Sequence, residues 1–524
     1  RKYLMKPIDP QEWKQDLPAF REKTAAFYKG ELKKNDYKGF SGLYGSYAQK
    51  DGKASMLRLR MTAGAVSREK VCFIAKMIRE YQVKRMHFTT CQSIQLHDLN
   101  ETAVCEIMEK ALDAGIVTMG GGGDFPRNIM CSPLAGVEKG EYFNVQPYAK
   151  AAGDYLMHFI KAEKMPRKLK VGFSSSPANL THATYRDLGF AARKDGKFDV
   201  YSAGGLGNNP RFGVKVAEAV EPDDILFYIR AMWLTFRTYG NYENRGKART
   251  RYMQESLGSP EKYKEAFQEK LKEVCASGED LKLKDLKEAS TENSRKTGDE
   301  TVFTGSNAIE QKQEGLYALA WHPIGGMPDP AVFCELADAM EEIEGVELRL
   351  APYETAYIIN LTGAEAERLN TIIQKDMAQS LFETSVSCIG ASVCQVGLRD
   401  SQGLLRACVE RVKEAGLADG TLPQIHISGC PSSCGTHQTG ALGFRGASVK
   451  VDGKLESGFV LYINGCERQG EENMGHEAGT MAEADIPEFL VALGKAVAES
   501  GEDFNTWNEK HPGGIEAVAA LYLR

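Results

Sequence analysis

Apolar and polar positions along the chain follow one order of elements twice. Residues 55–64, SMLRLRMTAG, alternate as a strand and end in a turn. Residues 67–81, SREKVCFIAKMIREY, place apolar side chains at helical spacing behind Ser67 as N-cap. Residues 86–99, MHFTTCQSIQLHDL, alternate again and are rich in strand formers, and 100–115 return to helical spacing. The same series recurs with a strand and turn at 317–326, a helix at 329–343, a second strand region at 346–361 and a helix at 362–374. The separation is too long for a solenoid repeat, so the pattern predicts an α+β unit duplicated about a pseudo-twofold axis. The segments downstream echo each other too. Residues 221–249 and 483–512 each open on an acidic cap, continue as an amphipathic helix and end in a turn.

Between the copies, residues 256–301 are dense in Lys and Glu. Residues 259–274 read as a solvated helix and 289–301 as a polar, mobile linker. The predicted division is an N-terminal segment (1–40), a first half (41–115) with its following domain (116–255), a charged helix and linker (256–304), and a second half (305–372) with its following domain (373–524).

Composition narrows the function. A chain of 524 residues, 42% hydrophobic, builds its core without disulfides. A net charge of −6 lacks the basic excess of a nucleic-acid protein. No apolar run is long enough to span a bilayer, and the opening RKYLMKPIDPQEW lacks the apolar core of a signal peptide. Twelve cysteines in such a chain point to a reducing, cytoplasmic setting, where close pairs serve metals or redox chemistry. Cys72, Cys105, Cys334 and Cys408 fall at apolar helical positions and read as core.

Two pairs stand apart. Cys388 and Cys394 lie in CIGASVCQVG with five residues between them, and Cys430 and Cys434 lie in SGCPSSCG with three. Zinc knuckles use two to four residues between close cysteines, so the first pair is wide for zinc. Buried structural thiols are the other plain reading. A cubane [4Fe–4S] cluster takes four thiolates from loops that wrap it. On that reading Gly390, Gly397, Gly429 and Gly435 let the backbone approach an inorganic core, and Pro431 stiffens the second loop.

C-x5-C followed by G-C-P-x-x-C-G resembles the siroheme and [4Fe–4S] family of assimilatory sulfite and nitrite reductases, and the likeness runs from about Phe40 to the C-terminal helix. It implies ferredoxin-like, parachute-type halves plus two mixed α/β domains that hold siroheme and cluster. It implies that Cys388, Cys394, Cys430 and Cys434 bind the cluster and that Cys434 also bridges to the siroheme iron.

Siroheme carries eight carboxylates and the substrate is an oxyanion, so basic side chains are needed. Arg58 and Arg60 sit two apart on one strand face. The glycine-rich stretch 120–136 supplies Arg127 and Asn128, and MPRKLKVGF supplies Arg167, Lys168 and Lys170. Each alone reads as a solvated surface group. Together they match the family's pattern, in which Arg58, Arg127, Lys168 and Lys170 converge on the open face of the siroheme. There, cationic donors bind the anion, and lysine relays protons to departing oxygens. Arg60, Asn128, Gly204, Gly205, Arg245, Lys247, Arg249 and Arg251 are the implied siroheme-binding set. GGGG at 120–123 does not join a strand to a helix and is no dinucleotide fingerprint. His426 and His437 flank the second cysteine loop and read as hydrogen-bonding groups behind the ligands.

Two residues depart from the pattern. Cys91 stands in TTCQ where the family has Arg, with Lys84 or Arg85 as compensating bases, and Ser432 replaces Asn. Lys170 stands where plant-type nitrite reductases have Asn and sulfite reductases have Lys. The expected activity is therefore six-electron reduction of sulfite, with nitrite as the alternative and a non-catalytic iron–sulfur sensor or carrier as a reading from another class. The sequence shows no flavin, nicotinamide or second cluster motif, so electrons come from a partner, a small ferredoxin by resemblance.

Overall fold

The computed structural model describes residues 6–284, 286 and 296–524. The first half is an antiparallel sheet in the order β1 (Ser46–Ala48), β2 (Ser55–Leu59), β5 (Ile94–Leu99), β4 (Met86–Phe88). Helices Arg68–Tyr81 and Glu101–Asp113 cover it, the first capped by Ser67 and the second by Asn100 Oδ1, 2.8 Å from the Ala103 N–H. The second half repeats this order with β11 (Ala308–Glu310), β12 (Tyr317–Trp321), β14 (Ala356–Leu361) and β13 (Glu347–Leu350). Its helices are Pro330–Met340 and Gly363–Ile373, the latter opened by a Thr362–Glu365 capping box.

The halves interlock. Strand β3 (Ala65–Ser67), from the first half, pairs with β13 of the second. A single core runs between the sheets, with Phe88 edge-on to Trp321 at 5.4 Å among Leu57, Leu96, Leu348 and Ile358. Arg349, 5% exposed, ties the second half to the domain after the first. It donates to the carbonyls of Pro133 and Ala135 (3.2 and 3.1 Å) and to Gln146 Oε1 (2.7 Å), and pairs with Glu347. Stranding such a buried charge typically costs about 3–5 kcal/mol.

The two remaining sheets also share one plan. β6 (Met130–Cys131), β7 (Val171–Ser174) and β8 (Leu188–Ala192) are parallel, and β9 (Phe198–Ser202) and β10 (Val214–Val220) continue antiparallel. β15 (Val386–Ser387), β16 (Ile425–Ser428) and β17 (Leu442–Val451) are parallel, and β18 (Lys454–Ile463) and β19 (His476–Ala482) are antiparallel. Each ends in an acidic 3-10 turn and a helix, Ile225–Tyr239 or Ile486–Ser500, that buries an apolar stripe. The fold is α+β and duplicated, as the pattern predicts.

Four expectations change. Residues 86–99 are two strands, β4 and β5, around the turn 89–93, whose sequence TTCQS has no Gly, Pro, Asn or Asp to mark it. β3 crosses the boundary drawn between the halves. In the linker reading, 289–295 lie outside the described residues, but 296–301 are docked on the second half. Lys296 Nζ reaches Glu344 O and Asn360 O (2.9 Å each) and Glu365, and the Ala364 N–H donates to Asp299. Cys72 is half-buried rather than core, while Cys105, Cys334 and Cys408 are buried. No helix among the described residues is long and apolar enough to cross a membrane.

Candidate active site

The cysteine loops leave the carboxyl ends of neighbouring parallel strands, where open α/β sheets present their ligands. Cys388 follows β15, and Cys430 and Cys434 follow β16. Cross-bonds tie the loops together. The N–H groups of Leu398 and Arg399 share Gly429 O (3.1 and 2.9 Å), the Cys388 N–H reaches Ile427 O (3.2 Å), and the Gly429 N–H points at Cys388 Sγ (3.2 Å). Burial pushes the Cys388 thiol up to about 12, and Cys434 adds to that. Burial likewise raises Cys394, with Cys434 and Cys430 adding to it. The thiols are thus near enough to oppose each other's ionisation, a conflict that a bound cationic centre reverses. Among the described residues no three His, Cys, Asp or Glu side chains gather at single-ion spacing, so nothing here supports zinc.

The glycines of these loops are each required by protein packing. A Cβ on Gly390 would meet Ser401 N at 2.7 Å, one on Gly397 would meet Ala391 Cα at 2.8 Å, and ones on Gly429 and Gly435 would run into the Arg399 and Ile427 carbonyls. They let the first loop close on itself and on the helix that begins at Ser401, and let the second pack on the first and on β16.

The cations gather beside these loops. Residues 167–170 enter β7 in extended form, with Leu169 buried and Lys168 and Lys170 on the opposite side, both half-buried. Burial and then repulsion from Arg127, Lys170 and Arg249 hold Lys168 well below the ordinary lysine range. Arg58 and Arg127 both donate to Gly121 O, and Arg127 also donates to Gly123 O (2.9 Å). Arg60 is buried in a cage of carbonyls from Met119, Pro126 and Arg127, and so fixes the glycine-rich loop. Asn128 Nδ2 donates to Cys91 O and Gln92 O (3.0 Å each) and holds the turn 89–93. That turn reaches the cysteines through Thr90 Oγ1, which donates to Cys434 O at 2.9 Å.

Cys91 lies inside the group, with Lys170 Nζ 3.3 Å from its sulfur. Burial alone would raise the thiol, but Lys170, Arg186 and Arg58 overcome it and bring it to about 6. For Lys170 the largest influence is Cys91, which raises it; burial, Arg186 and Arg249 outweigh that and leave it lowered. The compensating bases expected for Cys91 are not Lys84 or Arg85. Arg85 pairs with Asp98 (3.2 Å) and Lys84 is exposed. Arg186 stands in the group instead, bonded to Thr181 O (2.7 Å). It escaped the sequence reading because YRDLGF carries no periodic or motif signal. Its neighbour Asp187, fully buried, is the main counter-charge, accepting from Arg249 (3.0 Å), Thr250 and the Lys170 N–H (2.8 Å).

The remaining candidates ring this centre. Arg251 donates to Asn208 O and Asn209 O, and Gln438 exchanges two hydrogen bonds with Gly207 (3.1 and 2.9 Å), which fastens loop 204–209 to the segment after Cys434. Gly204 is required by Tyr185, whose Cα a Cβ would meet at 2.6 Å, whereas Gly205 (φ +152°) has nothing nearer than Arg251 at 3.7 Å. Arg245 pairs with Asp124, and Lys247 is exposed. Buried Arg127 Nε, Asn128 Oδ1, Arg249 Nε and Arg251 Nη1 have no hydrogen-bond partner among the described residues. Unpaired guanidinium donors around a half-buried cation cluster fit a large group bearing carboxylates, together with a small anion.

Comparison with known proteins agrees. The nitrite/sulfite reductase ferredoxin-like half domain matches residues 47–114, and the nitrite and sulphite reductase 4Fe-4S domain matches 122–274. The second match falls on the first copy of the duplicated domain, while the cysteine quartet lies in the second. Ferredoxin–nitrite reductase of Synechococcus elongatus is 27% identical over 456 residues, covering 84% of this chain and 85% of that one. Sulfite reductase [ferredoxin] 1 of Mycolicibacterium paratuberculosis is 23% identical, covering 87% and 82%. The solved Mycobacterium tuberculosis NirA protein has the same fold, with a TM-score of 0.78 over 98% of both chains at 21% identity. The class is an oxidoreductase that carries siroheme and a [4Fe–4S] cluster. The chain belongs to the siroheme and [4Fe–4S] sulfite/nitrite reductase family, whose members reduce nitrite or sulfite.

The Cys91–Lys170 pair gives a pH signature. Above about pH 6 Cys91 is a thiolate, so peptide mapping after brief iodoacetamide treatment should show its alkylation half-maximal near that pH. Lys170→Met removes the largest attraction and should move the midpoint toward the ordinary thiol range; an unchanged midpoint contradicts the pairing.

Proposed function

We propose that the chain reduces sulfite to sulfide by six electrons, with siroheme and the cluster as cofactors and a ferredoxin as donor. The observation that carries this reading is the crowd of mutually repelling cations (Arg58, Arg127, Lys168 and Lys170, with Arg186 and Arg249) beside Cys434. Such a group is strained without an anion and is relieved by one. A bare iron–sulfur carrier has no use for it.

In this reading Cys388, Cys394, Cys430 and Cys434 hold the cluster. Cys434, exposed and acting on both Lys168 and Lys170, would be the cluster thiolate on the side of the cation pocket and would link the two cofactors. The two cofactors deliver electrons one at a time. Arg58 and Arg127 bind and orient the oxyanion through guanidinium donors. Lys168, whose ammonium burial and neighbouring cations make a stronger acid, would hand a proton to a departing oxygen and be reprotonated from water. Arg245, Lys247, Arg249 and Arg251 would hold siroheme carboxylates, and the open space at Gly205 would admit a close approach. Arg60, Asn128 and Gly204 shape the walls.

Nitrite is the second reading, and one observation favours it. The Cys91 thiolate takes up the charge of Lys170, which leaves a pocket one positive charge poorer for a dianion. Several similar proteins are named nitrite reductases. The donor assignment draws on relatives named as ferredoxin-dependent and on the outer face of the cluster loop. There, Val396 and Leu398, each 54% exposed, stand beside Lys50, whose Nζ reaches Gly397 O at 3.1 Å.

Lys170→Asn separates the substrates. It removes a cation and keeps a hydrogen-bond donor. Sulfite turnover should fall by about a hundredfold, the ~3 kcal/mol of a lost donor to developing charge, while nitrite turnover changes little. The readout is the ratio of the two kcat/KM values; a constant ratio removes the preference for sulfite.

The donor surface has its own test. With reduced ferredoxin, kcat/KM should fall as salt rises, because basic rim residues steer an acidic partner. With a small neutral donor it should not. A ferredoxin rate indifferent to salt contradicts charge-guided docking.

A further inference from the structure

The duplicated halves present the same turn twice, and at its positive-φ residue the first copy has an amide where the second has a carboxyl. In the first, the Thr89 N–H donates to Ser93 O (2.9 Å), the Gln92 N–H to Thr89 O (2.9 Å), and Gln92 takes φ +55°. In the second, the Ala351 N–H donates to Thr355 O (2.8 Å), the Glu354 N–H to Ala351 O (3.2 Å), and Glu354 takes φ +68°. The Gln92 amide is fully buried and satisfied on both ends. It accepts from the Cys131 N–H of β6 (2.8 Å) and donates to Cys131 O (2.7 Å) and Leu350 O (2.6 Å). Glu354, also fully buried, accepts in the same way from the Ser387 N–H of β15 (3.0 Å). Where the amide has a donor, the carboxylate has none, and its second oxygen faces His87 Nε2 at 3.2 Å.

The surroundings fix where the proton of this pair sits. The Gln95 amide accepts from Arg58 Nη2 (2.6 Å) when its oxygen is turned that way, and its nitrogen then faces His97 Nε2 (3.2 Å) and His87 Nδ1 (3.4 Å). With His87 Nδ1 an acceptor, the His87 proton sits on Nε2 and is donated to Glu354 Oε1. When the carboxyl gains a proton, the imidazole proton moves to Nδ1, where the Gln95 oxygen in its other orientation accepts it at 3.4 Å. His87 is the titratable group that acts on Glu354. Beyond it stand His97, held well below the usual range by burial and then by His87, Arg85 and Arg58, and His322, which burial brings to about 4 and which bonds Thr355. Burial raises the Glu354 carboxyl, while His87 and the Ser387 N–H lower it less.

Ser387 immediately precedes Cys388, so the carboxyl rests on the backbone of a cluster-ligand loop. We propose that Glu354 and His87 form a redox-linked proton site, in which the carboxyl takes up one proton from solvent as one electron from the external donor enters the [4Fe–4S] cluster. The inference rests on the ligand assignment of Cys388 given under the proposed function. One electron and one proton arrive together, and the net charge around the loop does not change. The physical reason is that a buried carboxylate and an added cluster electron are like charges in a poorly screened interior. The first half, which carries no cysteine quartet, has the untitratable amide at the matching place.

Potentiometric titration of the cluster in the loaded enzyme, followed by electron paramagnetic resonance at several pH values, tests this directly. The wild-type midpoint should fall by about 59 mV for each tenfold drop in proton concentration across the window where the site titrates. Glu354→Gln copies the first half's amide into the second and should make the midpoint indifferent to pH. Equal slopes in both proteins overturn the inference alone; a protein with no cluster signal overturns the ligand assignment and the inference together. Reduced-minus-oxidised infrared spectra of the wild type provide a measurement that needs no variant. A protonated-carboxyl band should appear on reduction, and its absence overturns the proposal.

Discussion

Positive charge held out of water, with too few carboxylates to neutralise it, is the constraint on which this structure turns. Lys168, Lys170, Arg127, Arg186 and Arg249 repel one another in a half-buried pocket. Among the described residues the counter-charges are Asp187 from below, Asp124 at the rim, the Cys91 thiol from within and Glu467 beside Arg186. Repulsion of that kind is tolerable only where the scaffold overdetermines the positions. Much of the surrounding hydrogen bonding does this. Arg60 pins the glycine-rich loop, Asn128 pins the turn 89–93, and Gln438 pins loop 204–209. The ligands for which the pocket is built are the remaining counter-charges.

Duplication explains how one chain brings such a pocket next to four thiols. Each copy contributes a sheet whose parallel strands open at one end, and the interlock of β3 with β13 fixes the copies against each other. The first copy's loops carry the cations and the second copy's loops carry the cysteines. The division suits the chemistry, because thiolates and cations gathered by one sheet would pair with each other. Cys91 is a sulfur on the cationic side, and it does pair, with Lys170.

The alternation and capping signals carried most of the fold, since amphipathic helices and half-buried strands are local consequences of burial. Ser67, Asn100 and Thr362 cap the helices that their sequences announce. The duplication was legible for the same reason. Turns without turn-forming residues were not: Thr89–Ser93 contains no Gly, Pro, Asn or Asp to interrupt the strand pattern. The quartet was legible from spacing and from family resemblance. Arg186 and Asp187 were not, because a buried ion group assembled from β7, β8 and the segment after Asn244 has no local period. The glycines of the cysteine loops were legible as constrained, and their protein partners, Ser401, Ala391, Arg399 and Ile427, are tertiary contacts that the sequence does not name.

The central claim is that one cysteine quartet and one cation pocket form a single redox centre, joined at Cys434. Iron, acid-labile sulfide and the visible spectrum of Cys434→Ser test it most directly, with Cys91→Ser as the comparison. The account predicts that wild type shows the Soret and red bands of siroheme together with cluster absorbance. Cys434→Ser should lose both, because its sulfur serves both, while Cys91→Ser should keep its cluster iron. A Cys434→Ser protein that retains wild-type iron, sulfide and siroheme bands would contradict the account.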